Sequence, residues 1–289
     1  MNKFEIIVKK ELAPDICYME VFAPRMAKSF KPGQFLIARI DEKGERIPLT
    51  IMDTDINKGS VSIVIQGIGA STKKMNMLNV GESFINFAGP LGQPSELMHL
   101  SDDELKKMNI LFIAGGIGAA PIYPQVKYLT QKRFMPDIIL GARSSHLIIL
   151  KDELKKMAKT LYIATDDGSE GKKGFVTDVL KELVEDKKIK YDIVITIGPM
   201  IMMKNIADIT KTYGIKTIAS LNTIMIDGTG MCGGCRVNVG GKTKFTCVDG
   251  PEFDAHQIDF NQALKRLSIY KDTERKKVED FHKCKIGLH

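Results

Sequence analysis

The stretch "ILFIAGGIGAAPIYP", Ile110 to Pro124, sets an apolar β-branched run directly before a glycine turn and a helix. Glycines such as Gly115, Gly116 and Gly118 let a backbone approach a phosphate, and the free N–H groups of a helix N-terminus attract one. Pro121 suits a first helical turn, where its missing N–H is not needed. Ala119 lies in the same turn. The pattern is G-x-G-x-x-P rather than G-x-G-x-x-G, and a purely structural strand-to-helix turn is the alternative.

Downstream, "DIILGA", "LYIATD" and "DIVITIG" are further apolar runs, separated by helical segments such as "LKDELKKMAK" and "VTDVLKELVED". Continuous apolar strands alternating with helices predict a parallel sheet covered on both faces, over residues 101–222. The second strand ends in "GARSS", where Arg143 and Ser144 are placed to touch the adenosine ribose or a 2′-phosphate. Asp166, closing "LYIATD", joins the nucleotide candidates.

Upstream, residues 1–100 read differently. "FEIIV", "CYMEVFA", "GQFLIARI" and "SVSIVI" alternate with period two between turn-rich connections such as "PRMAKSFKPG", predicting an antiparallel barrel or sandwich. Within it "QGIGASTKKM" is a glycine turn into a helix. Gly67, Gly69, Ala70, Ser71 and Thr72 form there either a second anion site or a plain N-cap. The polar helical texture of "MHLSDDELKKMN" marks the boundary between the two domains.

The whole chain of 289 residues, 44% hydrophobic and 27% charged, suits such a two-domain globular protein. Its net charge of +7 comes from scattered lysines without Arg/aromatic interleaving, which argues against nucleic acid. A solvated lysine-rich surface, or a face for an acidic electron carrier, remains. Apolar runs fall short of the roughly 20 residues that cross a bilayer, and charges interrupt the N-terminus early, so a cytoplasmic protein with no membrane association is expected. Residues 261–289 are a charged, weakly amphipathic tail, read as a solvated helix or a contact for a partner subunit.

Of five cysteines, three crowd into "MIDGTGMCGGCRV" and "KFTCVDG", which favours a metal or cluster over disulfides. Cys17 and Cys284 are read as a core thiol and a tail thiol. Plant-type 2Fe-2S spacing is C-x4-C-x2-C with a distant fourth cysteine. Here the pattern over residues 223–260 is D-x4-C-x2-C-x11-C, giving Asp227, Cys232, Cys235 and Cys247 as candidate ligands. A Cys3His zinc site with His256 is an alternative. So is an outer-shell Asp227, with Thr229, His256, Cys17 or Cys284 as the ligand.

Taken together, this order of parts resembles the ferredoxin-NADP reductase superfamily, an FAD-binding antiparallel β-barrel followed by an α/β nucleotide-binding domain. The cysteine segment is similar to its iron–sulfur branch, which contains dihydroorotate dehydrogenase electron-transfer subunits. The pattern also resembles that of the small (alpha) subunits of NADH-dependent reduced ferredoxin:NADP oxidoreductases, also described as sulfide dehydrogenase beta subunits. The resemblance covers nearly the whole chain. It implies that "RIPLT" is the flavin motif, with Arg46 near the FAD phosphates, Pro48 and Leu49 beside the flavin, and the Thr50 hydroxyl near the isoalloxazine edge as the catalytic candidate. "GIGAST" resembles the segment holding the FAD pyrophosphate and "GPLG", Gly89 to Gly92, the turn closing that site. "GGIGAAP" and "IGPMIMM" resemble the two nicotinamide loops, the second with Gly198, Pro199 and Met202.

The implied cofactors are FAD, a 2Fe-2S cluster and NAD(H) or NADP(H). The implied activity is NAD(P)H-dependent electron transfer through flavin and cluster, which needs no Ser/His/Asp triad because the cofactors hold the chemistry. The implied partner is a larger FAD and iron–sulfur subunit, in a heterodimer that reaches ferredoxin indirectly and operates by electron bifurcation. A dihydroorotate dehydrogenase electron-transfer subunit and a non-catalytic redox sensor are the alternatives.

Overall fold

A computed structural model describes residues 2–285, with side chains as far as Phe281. Cys284, read from sequence as a tail thiol, therefore lies outside the described side chains. The first part of the chain runs β1 (Ile6–Ala13), β2 (Ile16–Phe22), α1 (Pro24–Ser29), β3 (Phe35–Arg39), β4 (Ile47–Asp55), β5 (Ser60–Gln66), α2 (Ala70–Met77) and β6 (Asn86–Leu91). The six strands form one antiparallel sheet in the order β1-β2-β5-β4-β3-β6. Period-two alternation drives it: in β2, Met19 and Val21 are fully buried while Glu20 between them reaches the surface. The sheet curls until its margins meet, where the Phe84 N–H donates to the Phe4 carbonyl at 3.1 Å and the Ile6 N–H to the Glu82 carbonyl at 2.8 Å.

Two departures from the sequence reading have local causes. "PRMAKSFKPG", expected to be a turn, holds α1, because Pro24 sits at a helix start that its fixed φ favours. "RIPLT" opens strand β4 although it contains Pro48. Around Pro48 the strand pairs only with β3, since pairing with β5 begins at Ile51, so Pro48 stands where the strand is one-sided and a missing N–H is tolerated.

The second part runs α3 (Asp102–Leu105), β7 (Ile110–Gly115), α4 (Ala119–Gln131), β8 (Asp137–Ala142), α5 (Lys151–Met157), β9 (Thr160–Thr165), β10 (Lys172–Lys173), α6 (Val176–Lys181), β11 (Ile193–Ile197), α7 (Met200–Thr212) and β12 (Lys216–Ser220). The cysteine segment adds the hairpin β13 (Arg236–Val239) and β14 (Lys242–Phe245), then α8 (Thr246–Asp249) and β15 (Glu252–Asp254). Helices α9 (Phe260–Leu267) and α10 (Lys271–Lys285) follow. The sheet order is β10-β9-β8-β7-β11-β12-β15, parallel except for β15, which pairs antiparallel with β12. Every residue of β7 and β11 is buried, as strands covered on both faces require. The chain moves outward from β7 through β8 to β10, then returns to the other side at β11. That reversal is a topological switch point, and ligands of open α/β sheets bind at the carboxyl ends of the strands beside one.

The two domains share apolar core. Ile16, Met52 and Val64 of the barrel belong to the same buried cluster as Ala119, Ala120 and Ile122 of α4. Each large side chain buried this way contributes about 1.5–3 kcal/mol. Lys127 of α4 adds an ion pair, 2.7 Å from both carboxylate oxygens of Asp53. On the barrel's other side, Phe35 and Ile37 of β3 pack against Met225, Cys235 and Cys247. The tail helix α10 leans on α2, and Lys277 pairs with Glu45. Among the described residues no helix is long and apolar enough to cross a membrane.

Candidate functional site

A cleft of about 1110 Å³ opens where barrel, nucleotide domain and cysteine segment meet. The barrel contributes Phe35, Pro48, Leu49 and Thr50, the cysteine segment Thr223, Met225 and Pro251. From the nucleotide domain come the ends of β7 and β11, with Gly115, Gly116, Gly118, Pro121, Gly198, Pro199 and Met202, together with Arg143 and Asp166 at the tips of β8 and β9.

The glycines are there for different reasons. A Cβ on Gly115 would lie 3.0 Å from Pro199 Cδ and one on Gly198 would lie 3.1 Å from the Gly115 N, with Met202 packed closer still, so the two loops approach tightly at glycine. Gly116 has φ +56 and open space before it, a left-handed residue presenting bare backbone to the cleft. Gly118 packs its α-carbon on the neighbouring strand end, where a Cβ would sit 2.2 Å from the Ile197 carbonyl oxygen. Gly118→Ala is therefore expected to cost about 1–3 kcal/mol, as overpacking against rigid backbone does. Urea unfolding checks this, and an unchanged midpoint would mean that the two strand ends separate at no cost.

Several residues singled out in the sequence do not line the cleft: Arg46, Gly67, Gly69, Ala70, Ser71, Thr72, Ala119 and Ser144. Thr72 caps α2, its Oγ1 accepting from the Gly69 N–H and donating to the Gly69 carbonyl, both at 3.1 Å. Ser71 donates to Glu45 Oε2 at 2.6 Å. The hydroxyls of this turn thus serve protein groups, while Gln66 and Ile68 beside it face the cleft. Ala119 is buried in α4, and the buried Ser144 hydroxyl meets His146 Nδ1 at 3.0 Å. Arg46 turns away from the cleft: its Nε donates to the Ile226 carbonyl at 2.6 Å and its Nη2 to the Asp227 carbonyl at 3.3 Å.

Sequence reasoning missed Gln125 and Glu252. Gln125 of α4, lining the cleft, donates to Glu252 Oε1 at 2.7 Å and accepts from the Ser95 hydroxyl at 3.1 Å. One side chain each from the nucleotide domain, the cysteine segment and the loop after β6 meet there. Burial pushes the Glu252 carboxyl up to about 7, against the partial opposition of Ser95 and Gln125, and Glu96 adds to the rise. No local pattern announces this, since the burial is wholly tertiary.

In the cysteine loop, the Cys235 and Cys247 sulfurs lie 3.2 Å apart and buried, while Cys232 is exposed. The Gly234 N–H lies 3.4 Å from Cys232 Sγ and the Cys247 N–H 3.5 Å from Cys235 Sγ. Amides, Gly234 first and then Asp227, hold the Cys232 thiol below its usual range. Burial, and then Cys235, pushes Cys247 up to about 12. Asp227 Oδ2 accepts from the Thr229 hydroxyl and N–H and from the Met231 N–H. The Thr229 hydroxyl above all keeps that carboxyl ionised well below the ordinary carboxylate range.

Among the described residues no three His, Cys, Asp or Glu side chains converge on one metal position. The His256 alternative is not assembled, because its Nε2 bonds Thr210 Oγ1 at 3.0 Å on the side of α7. Cys17 is enclosed in the barrel core. A carboxylate and two cysteines along one glycine loop, with the third cysteine brought beside them on α8 and N–H groups facing sulfur, suit a two-iron cluster, whose irons are ligated separately, better than a single ion.

Residues 112–208 match the oxidoreductase NAD-binding domain. Residues 222–259 match the iron-sulfur cluster binding domain of dihydroorotate dehydrogenase B. A Thermotoga maritima protein named as a homolog of the dihydroorotate dehydrogenase B (NAD(+)) electron transfer subunit is 40% identical over 279 residues, covering 96% of this chain and 95% of the relative. This chain belongs to the dihydroorotate dehydrogenase B electron-transfer subunit family. A Clostridium beijerinckii member of this similarity group, described as an uncharacterized protein in the adh 3′ region, is 54% identical over 273 residues, covering 94% and 92% of the two chains. A chain from the solved structure of NADH-dependent reduced ferredoxin-NADP oxidoreductase superposes with TM-score 0.89 at 39% identity, covering 97% of this chain and 98% of that one. Like the electron-transfer subunits of its family, the chain is an iron–sulfur flavoprotein of ferredoxin reductase-like fold with an NAD-binding domain.

Proposed function

We propose that this chain is the NAD(H)-binding small subunit of an electron-bifurcating oxidoreductase. In this reading FAD lies along Pro48–Thr50, the nicotinamide nucleotide along Gly115–Pro121 and Gly198–Met202, and a 2Fe-2S cluster on Asp227, Cys232, Cys235 and Cys247. A larger FAD and iron–sulfur subunit is the partner, and ferredoxin is reached through it. The observation that carries the reading is the single cleft that joins the flavin motif to both glycine loops, with the cysteine loop one strand behind it. Pro48 of β4 pairs with Ile37 of β3, and a Cβ on Gly228 would stand 2.8 Å from Ile37 Cδ1. The likeness to the ferredoxin-NADP oxidoreductase chain supports the same assignment.

When bound, the flavin supplies exchange between two-electron and one-electron transfer and the cluster one-electron transfer, while the protein positions both. This chain's own residues do the positioning. The bare backbone of Gly116 and the start of α4 receive phosphate, and Arg143 and Asp166 flank the far end of the cleft. Met202 and Pro199 hold the second loop against Gly115, and Thr50 brings a hydroxyl to the cleft wall.

Visible and electron paramagnetic resonance spectra of anaerobically purified protein, before and after dithionite, test this for wild type and Asp227→Cys. Flavin bands with a reduced 2Fe-2S signal that changes in the variant are expected. A colourless, zinc-containing protein would overturn the reading, and a signal unchanged in the variant would remove Asp227 from the ligands. Delivery of electrons to a dihydroorotate dehydrogenase is the second reading, favoured by the family's name-bearing members. Co-purification from the native host separates the two by the subunit that accompanies the chain.

A further inference from the structure

Three arginines from three separate elements turn their guanidinium groups onto one loop. Arg46, just ahead of β4, holds the carbonyls of Ile226 and Asp227 at 2.6 and 3.3 Å. Arg236, at the start of β13, donates to the Gly233 carbonyl at 3.0 Å, and Arg266 of α9 donates to the Gly234 carbonyl at 3.0 Å. In a planar trans peptide, the C=O of one residue and the N–H of the next point in opposite directions. The Gly233 carbonyl held outward by Arg236 therefore turns the Gly234 N–H inward, where it lies 3.4 Å from Cys232 Sγ. The Ile226 carbonyl held by Arg46 shares its peptide with the N–H of Asp227, itself a candidate ligand. The Gly234 carbonyl on Arg266 shares its peptide with the N–H of Cys235. Each arginine thus grips the outer end of a peptide that belongs to, or points at, a candidate cluster ligand.

We propose that Arg46, Arg236 and Arg266 are positioning residues that orient and polarise the peptides around the cluster sulfurs and so raise the potential at which the cluster accepts an electron. The proposal rests on the cluster reading above. Reduction adds negative charge to the cluster, and N–H groups directed at its sulfurs favour the reduced form. A charged donor on the carbonyl strengthens the N–H at the other end of the same peptide, because hydrogen bonds in series polarise one another. Outer groups of this kind tune a metal site through its ligands. Arg46 stands two residues before Pro48, so the same short stretch that opens the flavin motif also fixes the loop on which the electron would arrive.

The test is the cluster midpoint potential, by titration followed with electron paramagnetic resonance, for wild type, Arg46→Gln, Arg236→Gln and Arg266→Gln, each with its lysine counterpart, and Arg133→Gln as a control in the turn after α4. The glutamine variants are expected to keep flavin and iron content and to shift to lower potential. A tenfold weakening of the one-electron reduction equilibrium, about 59 mV, is the size expected. Lysine keeps the charge but lacks the planar donor fork, so its variants fall between. Arg133→Gln leaves the potential where it was. Glutamine variants with full iron content and the wild-type potential overturn the proposal. So does loss of iron from the glutamine and lysine variants alike, which makes the arginines scaffolding only. A wild type that contains no cluster overturns the underlying reading instead, and the two failures are thereby distinct.

Discussion

Cys235→Ala is expected to abolish the 2Fe-2S signal while leaving both domains folded. Cys235 is 1% exposed, 3.2 Å from Cys247, and packed on the barrel strand that carries Ile37. Of the remaining described cysteines, Cys17 is enclosed in the barrel core, so it does not stand ready to replace the lost thiolate. The cost to the fold itself is that of removing one small buried side-chain atom, about 1 kcal/mol. Iron content and the reduced resonance signal measure the first effect, and thermal unfolding of the apoprotein measures the second. Cys17→Ala is the matched control. It removes a thiol buried in the barrel core, and the signal should survive. Full iron content in Cys235→Ala would show that the ligand set lies elsewhere.

Glu252→Gln should change how stability depends on pH. Burial raises the carboxyl from 4.5 to about 7, so between those values the folded chain keeps a proton that the unfolded chain has released. Unfolding therefore becomes easier as pH rises through that window, by about 3 kcal/mol in all, and the loss is complete above the folded value. Glutamine has nothing to titrate. It still accepts from the Gln125 amide through its own oxygen, so the variant should be the more stable protein at pH 8 and nearly equal to wild type at pH 4.5. Urea midpoints across that range read the difference directly. Parallel curves for the two proteins would mean that Glu252 is ionised in the fold as readily as in the unfolded chain, and that burial does not raise its carboxyl.

Much of the nucleotide domain was legible because its signals are local. The runs at β7, β8, β9 and β11 are mostly apolar, and the turn at Gly115–Pro121 carries its glycine spacing within a few residues. "KTIAS", by contrast, forms β12 although it is short, with an exposed lysine at one end. Strand β4 hid behind Pro48, and β6 behind Gly89 and Pro90, residues that usually end strands. The barrel's strand order was not readable, since it is set by pairings far apart along the chain. The same limit applied to Arg46. Its bond to a carbonyl 180 residues away has no local pattern behind it. The hydroxyls of Ser71 and Thr72 fell the other way, because the N-cap alternative accounts for the bonds of Thr72 and Glu45 for that of Ser71.

Strand β15 makes the cysteine segment part of the nucleotide sheet: Phe253 pairs with Ala219, and the Leu221 N–H donates to the Pro251 carbonyl at 2.9 Å. The segment is consequently no detachable cassette. A truncation placed after β12, which by sequence looks like a clean cut between domains, would strip the flank of a buried strand and leave its N–H and C=O groups facing water. Bare flanks of that kind template pairing with other chains. Iron-binding and solubility would be lost in one cut, and any transplant of the cysteine loop onto another scaffold has to bring a neighbouring strand for it to lie against.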